Sequence, residues 1–75
     1  MNTERIMLYD VVILEADLPG TLFVKGNRAT VVEVYGDHEG YELEFIDKDG
    51  STLGVETIEA SAVDKGIVKV IWKNP

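Results

Sequence analysis

The sequence predicts a single all-β domain, and three observations carry this prediction. Short runs of β-branched and aromatic residues are separated by turn residues, which is typical of strands and their connections. The chain has 75 residues, enough for one hydrophobic core but not for two. Hydrophobic residues make up 45% of the chain, as in folded domains rather than disordered segments. We therefore expect one domain over residues 1–75.

Five segments have the composition of strands: residues 7–14, 30–35, 41–46, 52–58 and 67–72. The Pro19-Gly20 pair is a strong breaker after the first of them. The third alternates strictly between apolar and acidic residues, which indicates a half-buried strand. Residues 59–65 are the one stretch that suits a helix, and it is barely one turn long. We expect a short 3₁₀ turn there, ended by Gly66.

Five short strands in so small a chain cannot build two full sheets, but they can close into a bent barrel that leaves few free edges. A single helical turn before the last strand fits an SH3-like barrel. The fold class that we predict is therefore a small five-stranded SH3-like barrel. An OB-fold is the alternative, although it usually needs a longer chain and a full helix between its third and fourth strands.

The second and third strands predict a hairpin with a four-residue loop over 36–39, which sets Tyr35 opposite Gly40. The inward pairs are then Val34–Tyr41, Val32–Leu43 and Thr30–Phe45. Glu33 lies opposite Glu42 on the outer face. A five-residue loop would turn Glu33 into the core, where an unpaired carboxylate is costly.

The third and fourth strands predict a hairpin whose loop is Lys48-Asp49-Gly50, a type I turn followed by a glycine at positive φ. The inward pairs expected here are Phe45–Leu53, Leu43–Val55 and Tyr41–Thr57. On the outer face, Glu42 is then opposite Glu56.

Four carboxylates therefore share one outward surface in the predicted sheet: Glu33, Glu42, Glu44 and Glu56. Like charges that face each other across strands destabilise a sheet, so folding alone does not require this arrangement. One interpretation is a solvated face that aids solubility, and the other is a docking surface for a basic partner. A metal site is disfavoured, because strand-borne carboxylates this far apart rarely converge on one ion.

The residues offer little for catalysis. There is no cysteine, and His38 is the only histidine, in a loop where we expect it to be exposed. Ser51 and Ser61 have no base nearby in the sequence. The segment Asp47-Lys48-Asp49-Gly50 resembles the start of a calcium loop but lacks the remaining acids. We therefore predict no enzymatic activity, no metal and no cofactor.

The charge balance argues against nucleic acid as a partner. Seven Lys and Arg residues stand against 14 Asp and Glu residues, a net charge of −7, whereas nucleic-acid binders neutralise phosphates with basic side chains. A local patch of Lys69 and Lys73 beside Trp72 is the one feature that could bind nucleic acid. We expect Trp72 in the core with Val68 and Val70, and a base-stacking role is the alternative.

The sequence offers no membrane segment, since no apolar run approaches the ~18 residues that span a bilayer. The first residues also lack the apolar stretch of a signal peptide. We therefore expect a cytoplasmic protein with no membrane partner.

Two function classes follow. The first is an interaction module that binds another protein, for example a basic enzyme or a toxin-like partner, through its carboxylates. The second is a structural or self-associating domain, in which Ile67 and Ile71 on the outward face of the last strand pack against a second copy.

Several segments resemble a known family in their order along the chain: Tyr9-Asp10-Val11-Val12-Ile13-Leu14, Asp17-Leu18-Pro19, Val24-Lys25-Gly26, Ala29-Thr30-Val31-Val32-Glu33-Val34-Tyr35 and Tyr41-Glu42-Leu43-Glu44-Phe45. They are similar to the pattern of domain of unknown function 4926, a family of short bacterial proteins. The resemblance covers about residues 8 to 60. It implies a bacterial SH3-like barrel and supplies no activity and no catalytic residue. Ala29 stands where the family usually has glycine.

Overall fold

The computed structural model describes residues 5–75 of the chain. Within that range, five antiparallel strands form one sheet and a single short helix precedes the last strand, which confirms the all-β prediction. The elements are β1 (Val11–Leu14), β2 (Arg28–Tyr35), β3 (Gly40–Ile46), β4 (Thr52–Glu59), α1 (Ala60–Asp64) and β5 (Val68–Trp72). The predicted 3₁₀ turn is wrong in type, because α1 is an α-helix of five residues.

The strand order in the sheet is β4-β3-β2-β1-β5. The first four strands run as an up-and-down meander, and the chain then returns through α1 so that β5 pairs with β1. The first strand is shorter than predicted and begins only at Val11. Tyr9 has a positive φ of 69°, and the Asp10 N–H turns back to the Met7 carbonyl, so the preceding residues form a turn.

The core lies between the inward faces of the strands. Its buried apolar side chains are Ile6, Val12, Leu14, Leu18, Ala29, Val31, Tyr41, Leu43, Phe45, Ile58 and Val68. The alternation of β3 is confirmed, since Leu43 and Phe45 are fully buried. Phe23, from the loop between β1 and β2, stacks on Phe45 with ring centroids 4.1 Å apart. Gly54 makes room for that ring, because a Cβ there would lie 3.0 Å from the Phe23 side chain.

The β2–β3 hairpin has the predicted loop, with Tyr35 opposite Gly40 and Glu33 opposite Glu42. Further from the loop the predicted register is wrong. The ladder shifts between Val31 and Glu33, so the observed inward pairs are Val34–Tyr41, Val31–Leu43 and Ala29–Phe45. One extra residue, Val32, is accommodated on β2, and such a bulge bends the strand that carries it.

The β3–β4 hairpin also has the predicted turn. Gly50 has a φ of 87°, and its N–H donates to the Asp47 carbonyl over 2.9 Å. The register shifts between Ile46 and Phe45, so the predicted pairs are wrong. The observed pairs are Phe45–Gly54, Leu43–Glu56, Glu42–Thr57 and Tyr41–Ile58. Leu53 and Val55, predicted to face inward, are about half exposed, at 50% and 48%.

The last strand differs from the prediction at two positions. Trp72 lies opposite Val11 on the outer face and is 50% exposed, so its predicted place in the core is wrong. A register shift between Val11 and Val12 of β1 causes this change of face. Ile67 precedes β5 and packs partly buried against the core, so its predicted outward position is wrong, whereas Ile71 is exposed.

No helix within residues 5–75 has the length and apolar composition that crossing a membrane requires.

Candidate functional site

Three glutamates cluster on the outer surface of β2 and β3. Leu43 and Phe45 point into the core, and side chains alternate along a strand, so Glu42 and Glu44 point outward. Glu33 of β2 lies directly opposite Glu42. We call Glu33, Glu42 and Glu44 the acidic face. Three of the four predicted carboxylates are thus brought together.

Glu56 does not belong to the acidic face. The register shift in β4 pairs it with Leu43 and puts Thr57 in the place opposite Glu42. The prediction of a Glu42–Glu56 pair is therefore wrong. The exchange removes one like-charge contact and supplies a hydroxyl in its place.

Hydroxyl groups hold the Glu42 carboxylate from both neighbouring strands. The Tyr35 hydroxyl donates to Glu42 Oε1 over 3.3 Å, and Thr57 Oγ1 donates to the same oxygen. Both donors are side chains of the outer face. Tyr35 lies two positions from Glu33 in β2, and Thr57 lies opposite Glu42 in β4. The side chain of Glu42 is therefore restricted before any partner arrives.

The other two carboxylates have local donors as well. Thr52 Oγ1 donates to Glu44 Oε2 over 2.8 Å, and the Val34 N–H donates to Glu33 Oε1 over 3.2 Å. In each glutamate of the acidic face, the hydrogen bonds found within residues 5–75 use a single oxygen. A charged donor on a partner can bond the second oxygen without breaking these contacts.

Tyr35 acts in this arrangement as a neutral donor. Partial loss of solvent raises the pKa of the Tyr35 phenol, and the negative charges of Glu42 and Glu33 raise it further. A phenol already has a pKa near 10, so the shifted group stays protonated at neutral pH. At neutral pH the acidic face therefore keeps Tyr35 as a hydrogen-bond donor.

A second carboxylate, Asp10, has a different environment that the sequence did not reveal. It is fully buried and accepts hydrogen bonds from Lys73 Nζ at 2.6 Å, the Asn74 N–H at 2.9 Å and the Met7 N–H at 2.8 Å. Lys73 Nζ also donates to the Arg5 carbonyl. This network ties the segment before β1 to the segment after β5. Since 63 positions separate Asp10 from Lys73, no local pattern in the sequence signals the pair.

The network sets the charge state of Asp10. Burial on its own raises the pKa of Asp10, but hydrogen bonds from Lys73, Asn74 and Met7, with the charge of Lys73, outweigh burial and hold the pKa below its ordinary value. The group is therefore an ionised structural carboxylate. Lys73 is committed to it, which leaves Lys69 and Trp72 as the exposed members of the basic patch considered from sequence.

His38 is less accessible than its loop position predicts, so the expectation of an exposed histidine is wrong. Its side chain is 20% exposed and lies edge-on to the ring of Tyr41, with centroids 6.2 Å apart. The backbone of His38 has a positive φ of 59°. Neither ring nitrogen has a hydrogen-bond partner within residues 5–75.

The described part of the chain, residues 5–75, contains no group of three or more His, Asp or Glu side chains placed to hold a metal ion. The carboxylates of the acidic face are anionic acceptors that suit cationic donors.

Comparison with known proteins gives one match. No curated protein and no solved structure matches the chain. The family model described as "Domain of unknown function (DUF4926)" matches residues 8–65. This range contains all of β1 to β4 and the whole acidic face. It confirms the resemblance drawn from the strand motifs, and the chain belongs to the DUF4926 family.

Proposed function

We propose that this domain is a non-enzymatic interaction module that binds a basic partner protein through the acidic face. One observation carries the proposal: Glu33 and Glu42 face each other across the β2–β3 ladder, with Glu44 on the same surface. Directly opposed like charges cost a sheet several tenths of a kcal/mol, or about 0.5 kcal/mol per pair. An arrangement that costs stability and is still built fits a surface used for binding.

The hydroxyl contacts support the same proposal. Binding a flexible carboxylate costs roughly 0.5–1.5 kcal/mol of side-chain entropy. Tyr35, Thr52 and Thr57 already restrict two of the glutamates, so less of that cost remains when a partner docks. The net charge of −7 adds long-range attraction, which accelerates encounter with a basic protein.

We also propose that the sheet curls into a partly open SH3-like barrel, in which the end of β4 approaches the start of β5 and the rest of the β4 edge stays unpaired. The two edge strands, β4 and β5, are joined by the eight residues 60–67, which include α1. In a flat five-stranded sheet these edges would lie about 19 Å apart. A compact helical turn does not bridge that gap comfortably, so the sheet must curl, and the bulge in β2 provides a bend. Nuclear Overhauser contacts between the end of β4 and the start of β5 would support closure, and their absence would overturn it.

The binding proposal is tested with a charge-matched pair of variants. Glu42→Gln/Glu44→Gln removes two charges from the acidic face, and Glu15→Gln/Asp64→Asn removes two from exposed positions elsewhere. Each protein is immobilised, and association of the partner that wild type captures is timed at 50 and 300 mM salt.

We expect the acidic-face variant to associate about tenfold more slowly at low salt and to lose most of its salt dependence. The control variant should change less than twofold. Equal slowing in both variants would show that only net charge matters, and the assignment of the acidic face would then be wrong.

A further inference from the structure

Among the strands of residues 5–75, β4 lies at the edge of the sheet and pairs only with β3. The Ala60 N–H donates to the Glu39 carbonyl over 3.0 Å, which places residues 39 and 60 in a hydrogen-bonded position of the antiparallel ladder. Hydrogen-bonded and non-bonded positions alternate along such a ladder. The N–H and C=O groups of Val55, Thr57 and Glu59 therefore point away from β3. Among residues 5–75, the hydrogen bonds outside helices and strands use none of the backbone groups of Val55 and Thr57. The Glu59 carbonyl belongs to the N-cap of α1, so Glu59 offers its N–H.

This edge faces a groove of about 460 Å³. The turn over residues 18–21 and residues of α1 also line the groove, together with Ile67. Its apolar surface comes mainly from the partly buried Ile67, since Ile58 is only 4% exposed. The groove thus presents free backbone groups on one side and apolar contacts beneath them, as strand-addition sites do.

The charge of the groove is acidic. Its lining includes the side chains of Glu56 and Glu59, against one cation, Lys65. Glu56 lies on the inner side of β4, opposite Leu43, whereas Glu59 lies on the outer side, opposite Gly40. An added strand would therefore meet one carboxylate on each of its two faces, three positions apart.

We propose that the β4 edge binds an extended basic segment of a partner protein, which adds a sixth strand to the sheet. The segment carries basic side chains three positions apart, one facing Glu56 and the other facing Glu59. This interface lies outside the acidic face, so it goes beyond the function proposed above. Charged side chains along a strand edge also disfavour pairing between two such edges.

A second copy of the chain is a poorer occupant. Pairing two β4 edges about a two-fold axis must set outward-bonding positions opposite each other, for example Thr57 opposite Thr57. Because β4 contains no basic residue, no such register supplies a cation to Glu56 or Glu59. Charge complementarity therefore selects a basic strand over self-pairing.

The test uses an acetylated and amidated peptide, Lys-Val-Thr-Lys-Val, whose antiparallel addition sets its two lysines opposite Glu59 and Glu56. Binding is followed by amide chemical shifts of the full chain. We expect shifts confined to residues 18–21 and 55–59, with slowed exchange of the Val55, Thr57 and Glu59 amides. Shifts centred on the acidic face instead would overturn the inference.

Charge variants separate this site from the acidic face. Glu56→Gln/Glu59→Gln should weaken peptide binding about five- to tenfold, as expected for two exposed ion pairs. Glu33→Gln/Glu44→Gln makes the same change in net charge and should weaken it less than twofold. Equal weakening by both, or equal binding of the peptide Glu-Val-Thr-Glu-Val, would overturn the inference.

Backbone variants test strand addition itself. Val55→Pro removes an N–H that points away from β3 and leaves the ladder to β3 intact, which edge strands tolerate. It should reduce peptide binding at least tenfold, while Val55→Thr should retain it. A peptide methylated at alternate backbone nitrogens should also lose binding, and this arm is independent of the folding of the proline variant. Full binding by the methylated peptides would overturn the inference.

Discussion

Asp10 and Glu42 show two different uses of a carboxylate in one small domain. Asp10 is fully buried and accepts hydrogen bonds from one ammonium and two backbone N–H groups. Glu42 lies on the outer surface, opposite another glutamate, and accepts from two hydroxyls. The first arrangement satisfies a charge inside the fold. The second holds a charge in place at the surface and leaves it available to another molecule.

The comparison teaches that position in the hydrogen-bond network, rather than residue type, distinguishes a structural charge from the surface charge that we propose to bind a partner. Asp10 joins the segment before β1 to the segment after β5, so its loss removes the hydrogen bonds that connect these two segments. The glutamates of the acidic face lie on β2 and β3, and the backbone ladder already connects these two strands. Substitutions at the two sites should therefore differ in what they change.

The largest effect is expected for Asp10→Ala. This variant leaves the Met7 and Asn74 N–H groups without their acceptor and frees Lys73, and we expect it to lower the free energy of unfolding by about 4 kcal/mol. Urea unfolding at pH 7 measures the change. Asp64→Ala, at an exposed carboxylate, should stay within about 0.5 kcal/mol of wild type. Similar losses in the two variants would remove the distinction between the sites.

Lys73→Met should have a smaller effect, about 2 kcal/mol. The Asp10 carboxylate then keeps its two backbone donors but loses its counter-ion. The stem of Lys73 is partly exposed, and methionine replaces its packing. In a double-mutant cycle, Asp10→Ala and Lys73→Met should be strongly non-additive. Additive losses would show that the ion pair does not couple the two segments.

The pH dependence of stability sharpens the same contrast. The pKa of Asp10 is lower in the folded chain than its ordinary value of 3.8, so its contribution is fully present above about pH 4 and is lost as the pH falls through the folded-state pKa. The stability difference between wild type and Asp10→Ala should therefore shrink as the pH falls below 4. Asp49 also has a lowered pKa, from hydrogen bonds with Ser51, but it is present in both proteins and cancels in the difference. A constant difference down to pH 2 would contradict the assignment.

Much of the fold was predictable because local chemistry determines it. The loop over 36–39, the glycine turn at Gly50 and the alternation of β3 all formed as the sequence indicated. Each depends on residues within a few positions of one another. The acidic pair Glu33–Glu42 was predictable for the same reason, since it lies close to the loop that sets its register.

The errors arose where a bulge follows a correctly predicted turn. Val31 and Val32 are adjacent and equally apolar, so the sequence does not say which of them faces the core. Beyond the second turn, the extra residue Leu53 moved Glu56 off the acidic face and Thr57 onto it. Gly54 was a usable signal, because glycine within a strand often marks a bulge or a close approach, and here Phe23 makes that approach.

The most direct test of this account is urea unfolding, at pH 7 and low salt, of the triple variant Glu33→Gln/Glu42→Gln/Glu44→Gln. Repulsion within the acidic face is then removed and the hydroxyl donors keep an oxygen acceptor. The account predicts a free energy of unfolding equal to that of wild type or up to about 1 kcal/mol higher. A loss of more than about 1 kcal/mol would show that these glutamates stabilise the fold, and it would contradict their assignment to binding.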